Sequence, residues 1–421
     1  MNRFRANPRL LAPILAGMAM LGPFTIDAFF PAFRAMEADF GVSPEVMQQS
    51  LSVYLIAFAA MSLLHGPLSD AYGRRGVVLW SLILFALATV GCALSPSYEL
   101  LLVYRAMQGV CAGAGMIVGR AIIRDRYDGA DAQRLMSQVS FIFGFAPAIA
   151  PIVGGFVLGA AGWRAIFWLL AGFTVLLVLA ALAALPETHP RERRTRLAWG
   201  PLGRTYRCVA RDGRFMLLGF GAALNFSALF TYIAAAPSVV LNLLHLNERQ
   251  FAWLFVPVIA GMMLGSATSA RMAGKLTPVR TVTIGFSLMG LGTALNLAGS
   301  ALLAPMVPWF VLPIGVIGIG VTLAFPTLTL LMLDRFPAVR GAAASVQATI
   351  SLAVSAVVSG VVAPLVHASP IGLALAAAAM TGAGFALWCL YLRLTPNAEL
   401  QVVSAALEPA SAPTPSSASV R

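Results

Sequence analysis

Long apolar runs alternate along this chain with short polar connections, and none of the runs keeps the period-two alternation of a half-buried strand. Residues 46–69, 76–98, 135–163, 165–186, 215–247 and 250–270 contain no Asp, Glu, Lys or Arg. Each is long enough for the roughly 20 residues that cross a bilayer core. Two further uncharged stretches, 281–333 and 341–392, are double length. Each breaks near its middle at loop-forming residues, "LLAPMVP" at 302–308 and "HASP" at 367–370, and so reads as a helical hairpin. A helix from Leu10 to Phe33 and a span from Leu100 to about Arg120, interrupted by Arg105, bring the expected count to twelve.

Composition changes this picture only by excluding rivals. With 59% hydrophobic and 10% charged residues over 421 positions, the chain cannot cover a water-soluble globule with polar surface. A transmembrane barrel needs short alternating strands, whereas continuous apolar runs satisfy their backbone in lipid only as helices. The expectation is an all-α integral membrane protein. The first run follows "MNRFRANPR" but holds an acid, Asp27, and lacks a small-residue cleavage site, so it is kept as structure rather than as a removable leader. Cysteines 92, 111, 208 and 389 have no metal-binding or paired spacing, and no metal site is expected. The histidines at 65, 189, 245 and 367 stand apart, no serine joins a base and an orienting group, and no glycine-rich nucleotide fingerprint occurs. No enzyme activity and no cofactor are expected.

The net charge of +12 reads as orientation rather than nucleic-acid binding. If both termini face the cytoplasm, only Arg34, Arg164 and Arg249 among the 28 Lys and Arg residues fall on the opposite side, with Arg105 inside a span. The basic stretch "RERRTRLAWGPLGRTYRCVARDGR" at 191–214 then lies on the inner face, where it can rest on anionic headgroups. It also divides the chain. The expected organisation is a cytoplasmic N-terminus (1–9), a six-helix bundle (10–186), a basic cytoplasmic linker (187–214), a second six-helix bundle (215–394) and a cytoplasmic, disordered tail (395–421). Two bundles about a central path suit alternating access by rocking, and a single chain suffices for it, so a monomer is expected.

Within this frame, "GPLSDAYGRRG" at 66–76 resembles the loop between the second and third spans of the major facilitator superfamily. Gly66 would permit close helix approach, Gly73 a turn, and Asp70 an acceptor for a helix terminus or an arginine. The resemblance implies a latch of Gly66, Asp70, Gly73, Arg74 and Arg75 that forms and breaks during transport. "LLVYRAMQGVCAGAG" at 101–115 is similar to the superfamily's second motif through Arg105, Gln108 and Gly109. "GFAPAIAPIVGG" at 144–155 resembles its antiporter motif at Pro151, Gly154 and Gly155, with Ala150 where many antiporters carry glycine. "TIDAFFPAF" at 25–33, "LSVYLIAFAAMSLLHGPLSD", "LPETH" at 185–189 and "YIAAAPSVV" at 232–240 look like the Bcr/CflA branch of drug:proton antiporters. The fold implied is twelve transmembrane helices in the bacterial inner membrane. The activity implied is proton-coupled export of small, largely apolar drugs such as chloramphenicol-like or bicyclomycin-like compounds. A proton-linked exporter or facilitator of a sugar, amino acid or nucleoside is the alternative, and a non-transporting receptor or partner protein a more distant one.

Asp27 is the only acid expected inside a span. It and Arg105 lie at a similar depth, about 9 Å below the outer surface at roughly 1.5 Å per residue, and are expected to face one cavity. Removal from water favours the neutral acid and a neighbouring guanidinium favours the charged one, so hydration or drug binding could switch Asp27 between the two. That is the chemistry of coupling, with protons as the only coupling ion. Pro23 and Pro31 flank Asp27 and are expected to bend its helix or free backbone groups. Tyr54, Gln108, Asn225 and Tyr232 are candidate cavity residues, set either to orient a polar drug or to bond neighbouring helices. Polyspecific members of the branch carry a second acid where this chain has Ala19, and Met61 and Ser62 replace a Gly-Gln pair. The first departure argues against broad transport of strongly cationic drugs and against two-proton coupling; the second alters either the pocket or only a helix contact.

Overall fold

The computed structural model describes residues 8–395; the segments anticipated before and after them lie outside the described residues. Twelve of its helical segments are long and apolar enough to cross a membrane. Before the linker come α1 (Pro8–Asp27) with α2 (Phe33–Phe40), then α3 (Pro44–Tyr72), α4 (Arg74–Leu94), α5 (Tyr98–Arg126), α6 (Gly129–Ala161) and α7 (Trp163–Ala184). The linker contains α8 (Trp199–Arg211). After it come α9 (Gly213–Ala234) with the short α10 (Ala236–Ser238), then α11 (Ala252–Met272), α12 (Pro278–Leu302), α13 (Val307–Asp334), α14 (Arg340–Val357) with α15 (Ala363–Val366), and α16 (Pro370–Leu394). The membrane side that carries the linker is called the linker face and the opposite side the far face.

Short connections hold because the helix starts are written into the sequence. Ser43-Pro44, Thr277-Pro278 and Ser369-Pro370 each place a hydroxyl at the cap and a proline in the first turn, and each hydroxyl accepts from a backbone N–H three residues on, at 3.4, 3.3 and 3.1 Å. Asp212 caps α9 in the same way, accepting from Phe215 N at 2.7 Å, and also takes two bonds from Arg335 at 3.1 and 2.7 Å. Burial opposes its ionisation, yet these bonds and the Arg335 and Arg214 charges outweigh it and hold the carboxyl below the usual carboxylate range. α8 turns Val209 inward and lays Tyr206 against α3, whose Leu63 carbonyl accepts from the phenol at 2.5 Å.

The first span is not the continuous helix expected from Leu10 to Phe33. α1 stops at Asp27, a 3₁₀ turn covers Phe30–Ala32, and α2 resumes at Phe33. Pro31 explains the stop: it has no N–H to offer the Asp27 carbonyl four residues back, and its ring crowds that oxygen. The seventh span repeats the device. α9 ends at Ala234, Pro237 lies in α10, and a π turn follows at Val239–Leu243. Thr25 and Thr231, six residues before their prolines, each donate to the carbonyl four residues back, at 2.7 and 2.8 Å. Only the first of the two breaks carries an acid; Ile233 stands where Asp27 does.

The halves touch at the far face and part toward the linker face along α6 and α11. On α6 the far-face stripe Ala146, Ala150, Pro151, Gly154 and Gly155 is buried, whereas between residues 131 and 145 only Leu135 is. On α11 no residue beyond Gly265 is buried. A helix packed on both sides of its length would keep its inward stripe throughout. The structure is therefore closed at the far face and open between these helices at the linker face.

Candidate functional site

Asp27 sits at the broken end of α1, 4% exposed, and among the described residues no hydrogen bond or ion pair holds its carboxyl. An unpaired buried carboxylate is costly unless water or a partner reaches it. Arg105, fully buried on α5, is held differently from the expectation. It forms no ion pair with Asp27. Its guanidinium carbon lies 4.4 Å from the Phe29 ring centre and 4.5 Å from that of Tyr54. Its Nε donates to the Ser50 carbonyl at 3.3 Å and Nη1 to Gln108 Oε1 at 2.8 Å, while Nη2 has no partner. Two aromatic faces and two neutral oxygens thus substitute for a carboxylate, each ring contributing about 2 kcal/mol when desolvated. Tyr54 lies within electrostatic reach of both Asp27 and Arg105, and its hydroxyl donates to the Gly22 carbonyl at 3.1 Å.

Gln108 continues the network by donating to Thr89 Oγ1 at 2.8 Å. The two candidates from the second half lie elsewhere. Tyr232 donates to Asn296 Oδ1 at 2.7 Å and meets the Phe310 ring edge-on, so it is engaged with α12 and α13. Asn225 donates to the Met289 sulfur at 2.9 Å and leaves its own oxygen without a partner.

At the linker face, Arg74 is the hub of the loop between α3 and α4. It is buried, pairs with Asp70 and Asp125, the latter at 3.0 Å, and donates to Ser69 Oγ at 2.6 Å. Its backbone N–H donates to Glu187 at 3.0 Å, and Glu187 in turn pairs with Arg194 at 3.5 Å. Gly73 has φ +95°, a conformation that L side chains rarely adopt, and Arg75 donates to the Leu182 carbonyl at 2.7 Å. Gly66 does not serve close packing: a Cβ there would meet nothing within 4 Å. Asp125, Glu187 and Arg194 escaped the sequence reading, although "LPETH" contains one of them.

The hydrogen bonds of the far-face seam were missed. Three neutral side chains on one stretch of α3 donate to backbone carbonyls of the other half: Gln48 to Ala234 at 3.3 Å, Gln49 to Gly360 at 3.0 Å and Ser52 to Ala356 at 3.1 Å. The acceptors flank the α9 break and the π turn at Val358–Val362, where the regular helical ladder gives way. Arg34 on α2 donates to the Leu241 carbonyl at 3.2 Å and to Asn242, while Phe30 stacks on Phe255 at 6.5 Å. The antiporter-like residues lie at the same level. A Cβ at Gly154 would overlap the Ala28 carbonyl oxygen, and one at Gly155 would overlap the Glu248 carbonyl oxygen of the other half. Gly155→Ala is accordingly expected to disfavour the closed far face by about 1–3 kcal/mol, the usual cost of overpacking. A cysteine placed at Ser238 in that variant should react faster with a far-face thiol reagent.

These arrangements have relatives. The chain is 32% identical over 300 residues to an uncharacterised MFS-type transporter, YdgK, of Bacillus subtilis, covering 70% of this chain and 74% of that one. It is 27% identical over 354 residues to the bicyclomycin resistance protein homolog of Haemophilus influenzae, covering 83% and 87%. The solved structure of the human organic anion transporter MFSD10 superposes with a TM-score of 0.71 at 17% identity, over 91% of this chain and 99% of that one, a likeness of fold alone. The sequence profile of the Major Facilitator Superfamily matches residues 15–360. With twelve spans, a broken first helix and a charged latch between α3 and α4, the chain belongs to that superfamily.

Proposed function

We propose that the chain exports small, largely apolar antibiotics of the bicyclomycin or chloramphenicol type from the bacterial cytoplasm in exchange for protons. The observation that carries this reading is Asp27: an unpartnered acid buried at the break of α1, within one turn of the residues that close the far face. The bicyclomycin resistance homolog supports the substrate class, and the excess of Lys and Arg on the linker face supports a cytoplasmic linker and cytoplasmic termini. With the far face closed, cytoplasmic drug enters between the two bundles, 10–186 and 215–394, and its binding favours loss of the Asp27 proton inward. The bundles then rock, drug leaves outward, and Asp27 takes a proton from the acid side. Drug and proton must oppose each other's binding for the exchange to be coupled. The cycle asks nothing of a second copy, a cofactor or a metal, and lipid covers the outer helix faces.

Inverted membrane vesicles test this directly. An imposed pH gradient, acid inside, should be partly dissipated on adding bicyclomycin or chloramphenicol, with drug accumulating at least about tenfold over vesicles lacking the protein. Accumulation that ignores the gradient would leave a facilitator, and accumulation of neither drug would remove the proposed substrate class.

A further inference from the structure

A cavity of about 170 Å³ lies in the far-face seam, walled by Arg34 and Glu37 of α2, Gln48 of α3, Ser238 and Asn242, and His367 from the turn after α15. His367 touches both halves. Its Nδ1 is 3.1 Å from Ser238 Oγ, and its Nε2 is 3.2 Å from the carboxylate of Glu45 at the start of α3. The protons can be assigned from the neighbours. Ser238 already donates its hydroxyl proton to the His367 carbonyl at 3.0 Å, so the oxygen it turns to Nδ1 is an acceptor. Asn242 Nδ2 also donates to that oxygen, at 3.4 Å. An ionised carboxylate offers acceptors only. With the serine hydroxyl so placed, both ring nitrogens face acceptors, an arrangement that the doubly protonated imidazolium satisfies in full.

We infer that His367, with Glu45 and Ser238, forms a second proton-binding site, and that the bound proton holds the far face shut. The charged groups around the ring are few. Glu45 comes from α3, and Glu37 and Arg34 come from α2, with Arg34 turned onto the Leu241 carbonyl and Asn242. α10 and the first turn of α16 contribute no charged residue, and Arg214 of α9 lies at the opposite, linker-face end of that helix. When the halves part, Glu45 leaves the ring and the contact that favours the imidazolium is lost. Closure and protonation of the ring thus favour one another, so the closed form is favoured in acid and less so in alkali. On the antiport reading above, on which this physiological sense rests, the far face is the acid side, and external protons speed the return to the state that accepts cytoplasmic drug.

The test reads shape rather than transport. Spin labels at Ala161→Cys and Ala304→Cys, exposed far-face positions in opposite halves, are placed in the full chain carrying Cys208→Ser, Cys389→Ser and Asp27→Asn. The last change removes the carboxyl of the first span, and Glu37→Gln, added to the same background, removes the carboxyl that walls the cavity. Distance distributions in detergent at pH 5.5 and pH 8 should show the closed-to-open ratio falling about two- to fivefold on alkalinisation, the size of a partly exposed ion pair. His367→Gln and Glu45→Gln should each make the ratio independent of pH. A parent that ignores pH, or either variant that still follows it, would overturn the site. Because no gradient or drug is present, that failure leaves the antiport reading standing, and a failed vesicle assay leaves this site standing.

Discussion

Asp27→Asn is expected to reduce gradient-driven drug accumulation to the level of empty vesicles while the protein still folds, inserts and binds drug. The reason lies in what surrounds the carboxyl. No described residue bonds to it, so the amide removes no structural contact. Asparagine mimics the neutral acid but cannot release a proton. Expression and Tm should therefore stay close to those of the unmodified chain, and drug binding should lose its pH dependence rather than its strength. Parallel losses of Tm and transport would instead make Asp27 a structural polar group. Substitution of Asp27 by Glu should retain part of the activity, because the carboxyl is kept and only its position moves.

At Arg105, a pair of substitutions should separate packing from charge. Arg105→Ala empties the space between the Phe29 and Tyr54 rings and strips Gln108 of its donor. A loss of about 3–5 kcal/mol is expected, combining a cavity with an unpaired polar group. Arg105→Met refills the slot with an unbranched apolar chain that also favours aromatic neighbours, so most of that stability should return. Transport should not return with it. Tyr54, which lies within electrostatic reach of both Asp27 and Arg105, loses the cation on its ring, and the link between drug binding and proton release should weaken. Thermal stability and drug-induced proton release, measured on both variants, check the split; a Met variant that transports normally would reduce Arg105 to a filler.

Much of the architecture was visible as composition. Uncharged runs of bilayer length, punctuated by Ser-Pro and Thr-Pro starts, leave helices as the only backbone that lipid tolerates. The break at Asp27 was less legible. Pro31 is plain in the sequence, but prolines in spans often produce only a bend, and whether the helix recovers depends on what packs around the freed carbonyl. The expectation that Asp27 and Arg105 face one cavity followed from equal depth alone. Depth fixes one coordinate of three, and the rings of Phe29 and Tyr54 occupy the faces of the guanidinium. Tyr232 makes the helix-to-helix bond that was one of its two expected roles, since a hydroxyl in an apolar span looks the same in sequence whether it meets drug or a neighbour such as Asn296. Gln48, Gln49 and Ser52 carry no charge to draw notice, and their acceptors are carbonyls nearly 200 residues or more away.

Those acceptors also bear on how such a protein can diversify. Every one of the three is main chain, supplied by Ala234, Ala356 or Gly360, and a backbone oxygen survives almost any change of the side chain attached to it. In these three bonds the recognition elements stand on one half, while the other contributes atoms common to all amino acids. The donors on α3 need not change when the side chain at Ala234 or Ala356 does, whereas a Cβ at Gly360 would meet Ser52 Oγ, and Asn242, Phe255 and His367 remain second-half side chains on which the seam depends.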